Sequence, residues 1–242
     1  MSPLAGTAAP VIVLTGGAGT GKSTVAAVFG KFRARVVEVD RLAQTLLRPG
    51  EPAWHEVLAA FCGARFTGKP GLRKICFPGD FQDRRGRAFS ELPWVIGPQG
   101  KIRRKKLGSK VFTDPRALKK LNRIVHPKLR KLLEEKIREH RQHSRRPLVL
   151  DMAVFPERPF RGLGTAVLWV RAPRKLREQR LVNHKHLSWA NARARVRAQW
   201  PDETFARLAD FILPNLGSER DLRRRAEAIW PRLLAKASGG RE

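Results

Sequence analysis

The chain has 242 residues, 42% of them hydrophobic, which suffices for one sizeable core or one core plus a small inserted subdomain. Its 50 lysines and arginines against 21 acids give a net charge of +29 and a pI near 11.6, a surface that attracts polyanions or is simply solvated among counterions. The two cysteines, Cys62 and Cys76, form no disulfide framework, and with His55 they offer too few ligands for a zinc site. The N-terminal residues carry no basic leader and the apolar run after them is too short to span a bilayer, so a cytoplasmic protein without a membrane partner is expected.

The first ordered pattern is "VIVLT" (11–15), a short apolar run that reads as a buried strand. It runs into "GGAGTGKS" (16–23) and then a helical pattern. The sequence G-x-x-x-x-G-K-[ST] between strand and helix is a phosphate loop. Its glycines let amide N–H groups point inward, and the following helix adds the positive end of its dipole. Gly17, Ala18, Gly19, Thr20, Gly21, Lys22, Ser23 and Thr24 are therefore the expected ATP contacts. Lys22 would reach the β- and γ-phosphates, and the Ser23 hydroxyl would sit on Mg²⁺. The motif identifies the ligand far better than the reaction.

A second strand, "RVVEV" (35–39), ends beside Asp40. The carboxyl edge of a parallel sheet is where ligands bind. A carboxylate there can take the proton of an acceptor hydroxyl, or it can cap the helix that follows. Further strands are read at "PLVLD" (147–151), "TAVLWV" (165–170) and "DFILP" (210–214). Strands alternating with helices predict an α/β three-layer P-loop fold on a five-stranded parallel sheet.

Asp114-Pro115 starts one helix, Pro127 opens another, Ser188 caps a third, and Ser218 with Asp221 caps the last. The expected organisation is a single kinase domain over 1–242, with a core at about 10–50 and 145–240. Residues 51–144 read as an inserted helical subdomain, 64–101 as an irregular basic excursion within it, and 184–205 as a lid. Asp151, at the end of the third strand, either holds Mg²⁺ through water or is a turn residue. Gln199 faces the nucleotide or only its helix neighbours.

The ordered set "LTGGAGTGKS", Glu38 with Asp40, "VFTDP…LNRIVHP", "DMAVFPE", "RLVNH", "RVRAQ" and "ADFILPNLGS" resembles the dephospho-coenzyme A kinase family from about residue 11 to 235. The resemblance implies transfer of the γ-phosphoryl of ATP, with Mg²⁺, to the 3′-hydroxyl of dephospho-coenzyme A. It implies catalytic roles for Lys22, Asp40 and Arg180, where Arg180 stabilises the transferring group unless it is a surface residue. Asn215 and Gly217 fall in the adenine pocket that the resemblance implies. Thr15, Asp40, His126 and Asp151 would border the substrate, although His126 also reads as a cap or packing residue. The pattern departs at His184, which stands where the family has a second lid arginine, with Lys185 beside it. Two other readings fit the loop: a kinase with another small-molecule acceptor, and an ATP-dependent nucleic-acid-binding protein suggested by the charge. The low aromatic content, 7% with no tyrosine, disfavours a base-stacking platform. A monomer or weak oligomer is expected, with non-specific polyanion binding open to its basic surface.

Overall fold

The computed structural model describes residues 8–63, 65–67, 74–76, 95–97, 101–153, 160 and 162–239. In chain order the elements begin with β1 (Val11–Thr15), α1 (Lys22–Lys31), β2 (Arg35–Glu38), α2 (Val39–Thr45) and α3 (Pro52–Cys62). There follow β3 (Arg65–Thr67), β4 (Lys74–Cys76), α4 (Arg104–Thr113), α5 (Pro115–His143) and β5 (Leu148–Met152). The chain closes with β6 (Ala166–Arg171), α6 (Arg174–Lys185), α7 (Trp189–Arg197), α8 (Asp202–Leu208), β7 (Phe211–Pro214) and α9 (Glu219–Ala237). They fall into two compact units, Met1–Asp40 with Leu132–Glu242, and Arg41–Lys131.

The first unit is built on a five-stranded sheet in the order β2-β5-β1-β6-β7, with every neighbouring pair parallel. The α/β three-layer expectation holds, because strands of valine, isoleucine and leucine without polar alternation must be covered on both faces. Ile12, Leu14, Val149, Leu168 and Val170 point to one face and pack with α1 and α9 through Val25, Phe29, Leu222, Trp230 and Leu233. Phe29 and Trp230 meet with ring centroids 4.6 Å apart. On the other face Trp169 stacks on Phe205 of α8 at 5.6 Å. The end of α5 is tied to the start of β1, where the Arg141 guanidinium donates to the Ala9 carbonyl at 3.3 Å. The Thr165 hydroxyl donates to the Ala237 carbonyl at 2.7 Å and anchors the last turn of α9 beside β6.

The second unit has its own apolar cluster, in which Trp54, Val57 and Leu58 of α3 meet Val95, Ile102, Leu107, Val111 and Ala117. Lys128 pairs with Glu56 at 2.7 Å, and the Lys120 ammonium donates to the Ala60 carbonyl at 2.7 Å. Within 64–101 the described residues form a short antiparallel pair, β3 with β4, and an isolated bridge from Ile96 to Ile102. The rest of that basic excursion lies outside the described residues. The insert drawn from the sequence spans 51–144, whereas the compact unit runs from Arg41 to Lys131.

One expectation is corrected. Pro127 opens no helix: α5 runs unbroken from Pro115 to His143 with Pro127 inside it. The ring removes one N–H and leaves the Arg123 carbonyl without its intrahelical donor, a local cost of about 3 kcal/mol that neighbouring turns and packing override. The start at Asp114 is as expected, with its carboxylate accepting from the N–H groups of Arg116 (2.8 Å) and Ala117 (3.2 Å).

Candidate active site

The loop from Gly16 to Gly21 leaves β1 at the carboxyl edge of the sheet and enters α1. Gly21 caps the helix in the left-handed region (φ +92°), and a Cβ there would lie 2.5 Å from the Asn215 amide nitrogen. Gly19 is also left-handed (φ +78°), and a Cβ would lie 2.6 Å from the Arg177 carbonyl oxygen. No other residue type fits either position, because the walls of the loop are already in contact with it. The Thr20 hydroxyl donates to the Gly17 carbonyl at 2.8 Å and braces the turn. The first turn of α1 contains Lys22, Ser23 and Thr24 and no acid, which leaves its positive end open to an anion. The Thr24 N–H is already used, donating to the Gly21 carbonyl at 3.0 Å.

Three acids converge beside this loop. Register places Glu38 of β2 opposite Asp151 of β5, and Asp151 is opposite Leu14 of β1. The Lys22 ammonium is paired with the Asp151 carboxylate. Asp40 is the second residue of α2 rather than its cap, and its carboxylate accepts from the Ala153 N–H at 3.3 Å. Asp40 keeps access to solvent at its surface yet is set among protein atoms that withdraw it from bulk water. That desolvation raises its pKa above the ordinary 3.8, against the pull of the Lys22 charge, with Asp151 and Glu38 adding to the rise. Thr15, between Met152 and Trp169 in register, is 1% exposed, and its hydroxyl has no hydrogen-bond partner among the described residues.

The other wall comes from α6, α7 and the residues after β7. Ser188 caps α7 by accepting from the Asn191 N–H at 3.3 Å. Leu181, Ala192 and Val196 clamp α6 to α7, and Ala18 of the loop packs against them. Arg180 spans the base of the loop, donating to the carbonyls of Gly19 (3.3 Å) and Gly217 (3.2 Å) and to the Asn215 side-chain oxygen (3.0 Å). Asn215, 4% exposed, donates in turn to the Thr20 carbonyl at 2.8 Å. Leu216 between them is 60% exposed and presents an apolar face beside Gly217. His184 and Lys185 lie exposed in the last turn of α6.

Two residues gain a place that the sequence left unassigned. The Arg177 guanidinium donates to the Ala18 carbonyl at 3.1 Å and to the side-chain oxygen of Gln199, and that same oxygen accepts from the Ala18 N–H at 3.0 Å. Gln199 therefore faces the loop. Burial lowers the Arg177 pKa, against the nearby Asp202 charge, and the guanidinium remains protonated. The signal available in the sequence was spacing, since Arg177 lies three residues before Arg180 and so shares its helix face.

His126 is not an N-cap. It sits inside α5 in the second unit, half-buried, with burial lowering its pKa from 6.5. Residues 154–159, which include the end of "DMAVFPE", lie outside the described residues. For Mg²⁺, the Ser23 hydroxyl and the Asp151 carboxylate supply oxygen donors. Among the described residues no cluster of three His, Cys, Asp or Glu could hold a metal alone. That donor set fits an ion that takes one or two protein ligands and arrives with a nucleotide. No helix among the described residues is long and apolar enough to cross a membrane.

The family model described as "Dephospho-CoA kinase" matches residues 10–76 and 85–221. A dephospho-CoA kinase of Anaeromyxobacter dehalogenans is 34% identical over 231 residues, covering 96% of this chain and 93% of its own. One of Corynebacterium jeikeium is 32% identical over 219 residues, covering 90% and 97%. A solved Thermus thermophilus protein superposes with a TM-score of 0.66 at 29% identity, over 93% of this chain and 98% of its own. The dephospho-CoA kinase of Campylobacter jejuni, at 22% identity and a TM-score of 0.51 over 92% and 96%, shares the fold. The chain is a P-loop kinase, and it belongs to the dephospho-coenzyme A kinase family.

Proposed function

We propose that this protein transfers the γ-phosphoryl group of ATP to the 3′-hydroxyl of dephospho-coenzyme A, yielding coenzyme A and ADP, the last step of coenzyme A biosynthesis. The observation that carries the reading is Asp40, a solvent-accessible carboxylate with a raised pKa, held beside Lys22 and the phosphate loop at the carboxyl edge of the sheet. There the carboxylate takes the proton of the ribose hydroxyl as its oxygen forms the new bond to phosphorus, and the bond from that phosphorus to ADP breaks.

The loop amides from Gly17 to Ser23 receive the phosphates. Lys22 exchanges Asp151 for the β- and γ-phosphates. Arg180, already lodged against Gly19 and Gly217, lends its charge to the nucleotide and the transferring group. Asn215, Leu216 and Gly217 border the adenine. Ser23 would hold Mg²⁺ directly and Asp151 would hold it through water, and the ion would supply charge neutralisation at the phosphates. Thr15 offers its unpaired hydroxyl to phosphate or acceptor. The helical insert at 51–144, with His126, serves the acceptor, and a lid at 184–205 keeps water from the phosphoryl group.

The test is ADP release from Mg·ATP with and without dephospho-coenzyme A, together with mass detection of a product heavier by one phosphate. Adenosine and single-stranded RNA serve as control acceptors. Phosphate on dephospho-coenzyme A alone is the expected result. ATP turnover indifferent to dephospho-coenzyme A but raised by RNA or adenosine overturns the reading.

A further inference from the structure

The side-chain oxygen of Gln199 receives two donors of different kinds, the backbone N–H of Ala18 and the guanidinium of Arg177. A second Arg177 nitrogen donates to the Ala18 carbonyl at 3.1 Å, so the arginine is locked to the loop residue whose N–H it accompanies. A Cβ on Gly17 would collide with both the Gln199 oxygen and an Arg177 terminal nitrogen, so these two atoms lie directly on the face of the loop. A phosphate-loop amide and a guanidinium aimed at one oxygen are the donors that a phosphoryl oxygen receives.

The charge balance at this point is incomplete. Arg177 is 6% exposed, and among the described residues it forms no ion pair. Its neighbours Arg171 and Arg174 take the carboxylates of Asp202 and Glu178, at 3.0 Å each. Gln199 offers Arg177 a neutral oxygen. Asp202 and Glu178 act on Arg177 only at a distance and less than its desolvation does, so a cation whose hydrogen bonds go to neutral acceptors keeps part of that cost until an anion arrives.

Position along the loop says which anion oxygen this is. Thr20 is tied to Asn215, and Gly19 to Arg180, on the side that runs to Gly217. The amides at the start of α1 face the middle of the polyphosphate. Ala18 lies on the β1 side of Gly19 and Thr20, and its contacts run to Arg177 and Gln199 rather than to Asn215 and Arg180, which makes it the shoulder to which the terminal phosphoryl group is assigned below.

We propose that Arg177 and the Ala18 N–H read the γ-phosphoryl group of the nucleotide, and that in the nucleotide-free protein the amide oxygen of Gln199 stands in for a γ-phosphoryl oxygen. Arg177 is then the residue that separates a nucleoside triphosphate from a diphosphate, and Gln199 is the internal surrogate that the triphosphate displaces. Product release follows from the same exchange, because ADP lacks the oxygen that holds Gln199 away. The inference rests on the kinase reading of the loop and not on the identity of the acceptor.

The experiment is calorimetric binding of Mg·ADP and of the Mg²⁺ complex of an ATP analogue with a methylene β,γ-bridge, without acceptor, for the wild type, Arg177→Gln, Arg177→Lys and Gln199→Glu. Arg177→Gln is expected to lose about tenfold or more in triphosphate affinity and under about threefold in ADP affinity, the loss of one charge-assisted contact. Arg177→Lys recovers part of the difference. Gln199→Glu places a carboxylate between the two donors, so it raises the melting temperature of the nucleotide-free protein. The same change weakens the triphosphate about tenfold, with ADP nearly unchanged.

Equal losses for both nucleotides, or an unchanged triphosphate-to-diphosphate ratio in Arg177→Gln and Gln199→Glu, overturn the proposal and leave the pair a packing contact. Because no acceptor is present, a failed dephospho-coenzyme A assay leaves this ratio intact as a separate result.

Discussion

Lys22 and Asp151 form an ion pair at the mouth of the phosphate loop, joining the first turn of α1 to the end of β5, with both side chains mostly buried. The lysine that would grip the nucleotide is held ready on a carboxylate that would share in holding Mg²⁺. On the proposed reading, Mg·ATP would offer Lys22 a phosphate in exchange for Asp151 and would offer Asp151 a cation in exchange for Lys22.

Lys22→Ala is accordingly expected to lower turnover by about a hundredfold or more, the scale for loss of one preorganised charge at a reacting phosphate. Steady-state kinetics with far-UV circular dichroism checks that turnover falls while the fold survives. Asp151→Asn leaves Lys22 free to meet phosphate but removes the anionic metal partner. Its signature is a higher Mg²⁺ concentration for half-maximal rate, read from a metal titration at fixed ATP.

Asp40 carries a pH prediction. Burial disfavours its charged form, so its pKa is raised, and the acid limb of the kcat profile should lie above the 3.8 of an ordinary aspartate. The sign for stability is opposite to that of a salt-bridged acid. Between 3.8 and its raised value the folded protein binds a proton that the unfolded chain has released, so its contribution to stability falls as pH rises through that window. Asp40→Asn should therefore raise the melting temperature at neutral pH while lowering turnover by about a hundredfold. A variant with near-normal turnover would remove Asp40 from the mechanism.

Arg180 differs from Arg177 in what it grips. Its bonds run to Gly19, Asn215 and Gly217, the last two of which are proposed above to border the adenine. Arg180→Ala is expected to weaken ATP and ADP together, by about tenfold, and to lower kcat as well. Titration of both nucleotides against the variant, with kcat measured alongside, checks this, and unchanged affinities with an unchanged kcat would remove Arg180 from the site.

A stability prediction concerns the last helix. Ser218 accepts from the Asp221 N–H at 3.1 Å and caps α9, whose Trp230 and Leu233 hold one face of the sheet. Ser218→Ala should cost about 1 kcal/mol. The check is chemical denaturation with an unchanged slope, and because Gly217 adjoins the cap, the KM for ATP should rise modestly.

Much of this was legible in the sequence because it depends on neighbours along the chain. Short apolar runs without polar alternation mark strands covered on both faces, and all five were found within a residue or two of their ends. Glycine, lysine and serine spacing marks the loop because backbone conformation there is a local property. Asp114, Ser188 and Ser218 are caps because their side chains reach amides two or three residues ahead. Pro127 was misread by the same local logic, since tertiary packing outweighs one lost helical bond.

The composition and the local pattern thus determined a phosphate loop on a parallel α/β sheet and, through the ordered motifs, the family. What only the tertiary structure decided are the partnerships between residues far apart in the chain. Lys22 meets Asp151, Asp40 meets Ala153, and Ala18 meets both Arg177 and Gln199. His184 lies exposed in the last turn of α6, whereas Arg177 of the same helix is folded onto the loop. Such contacts have no spacing rule. They follow from which strand lies beside which and from the direction in which a helix turns its face, and these are properties of the packed sheet rather than of any stretch of sequence.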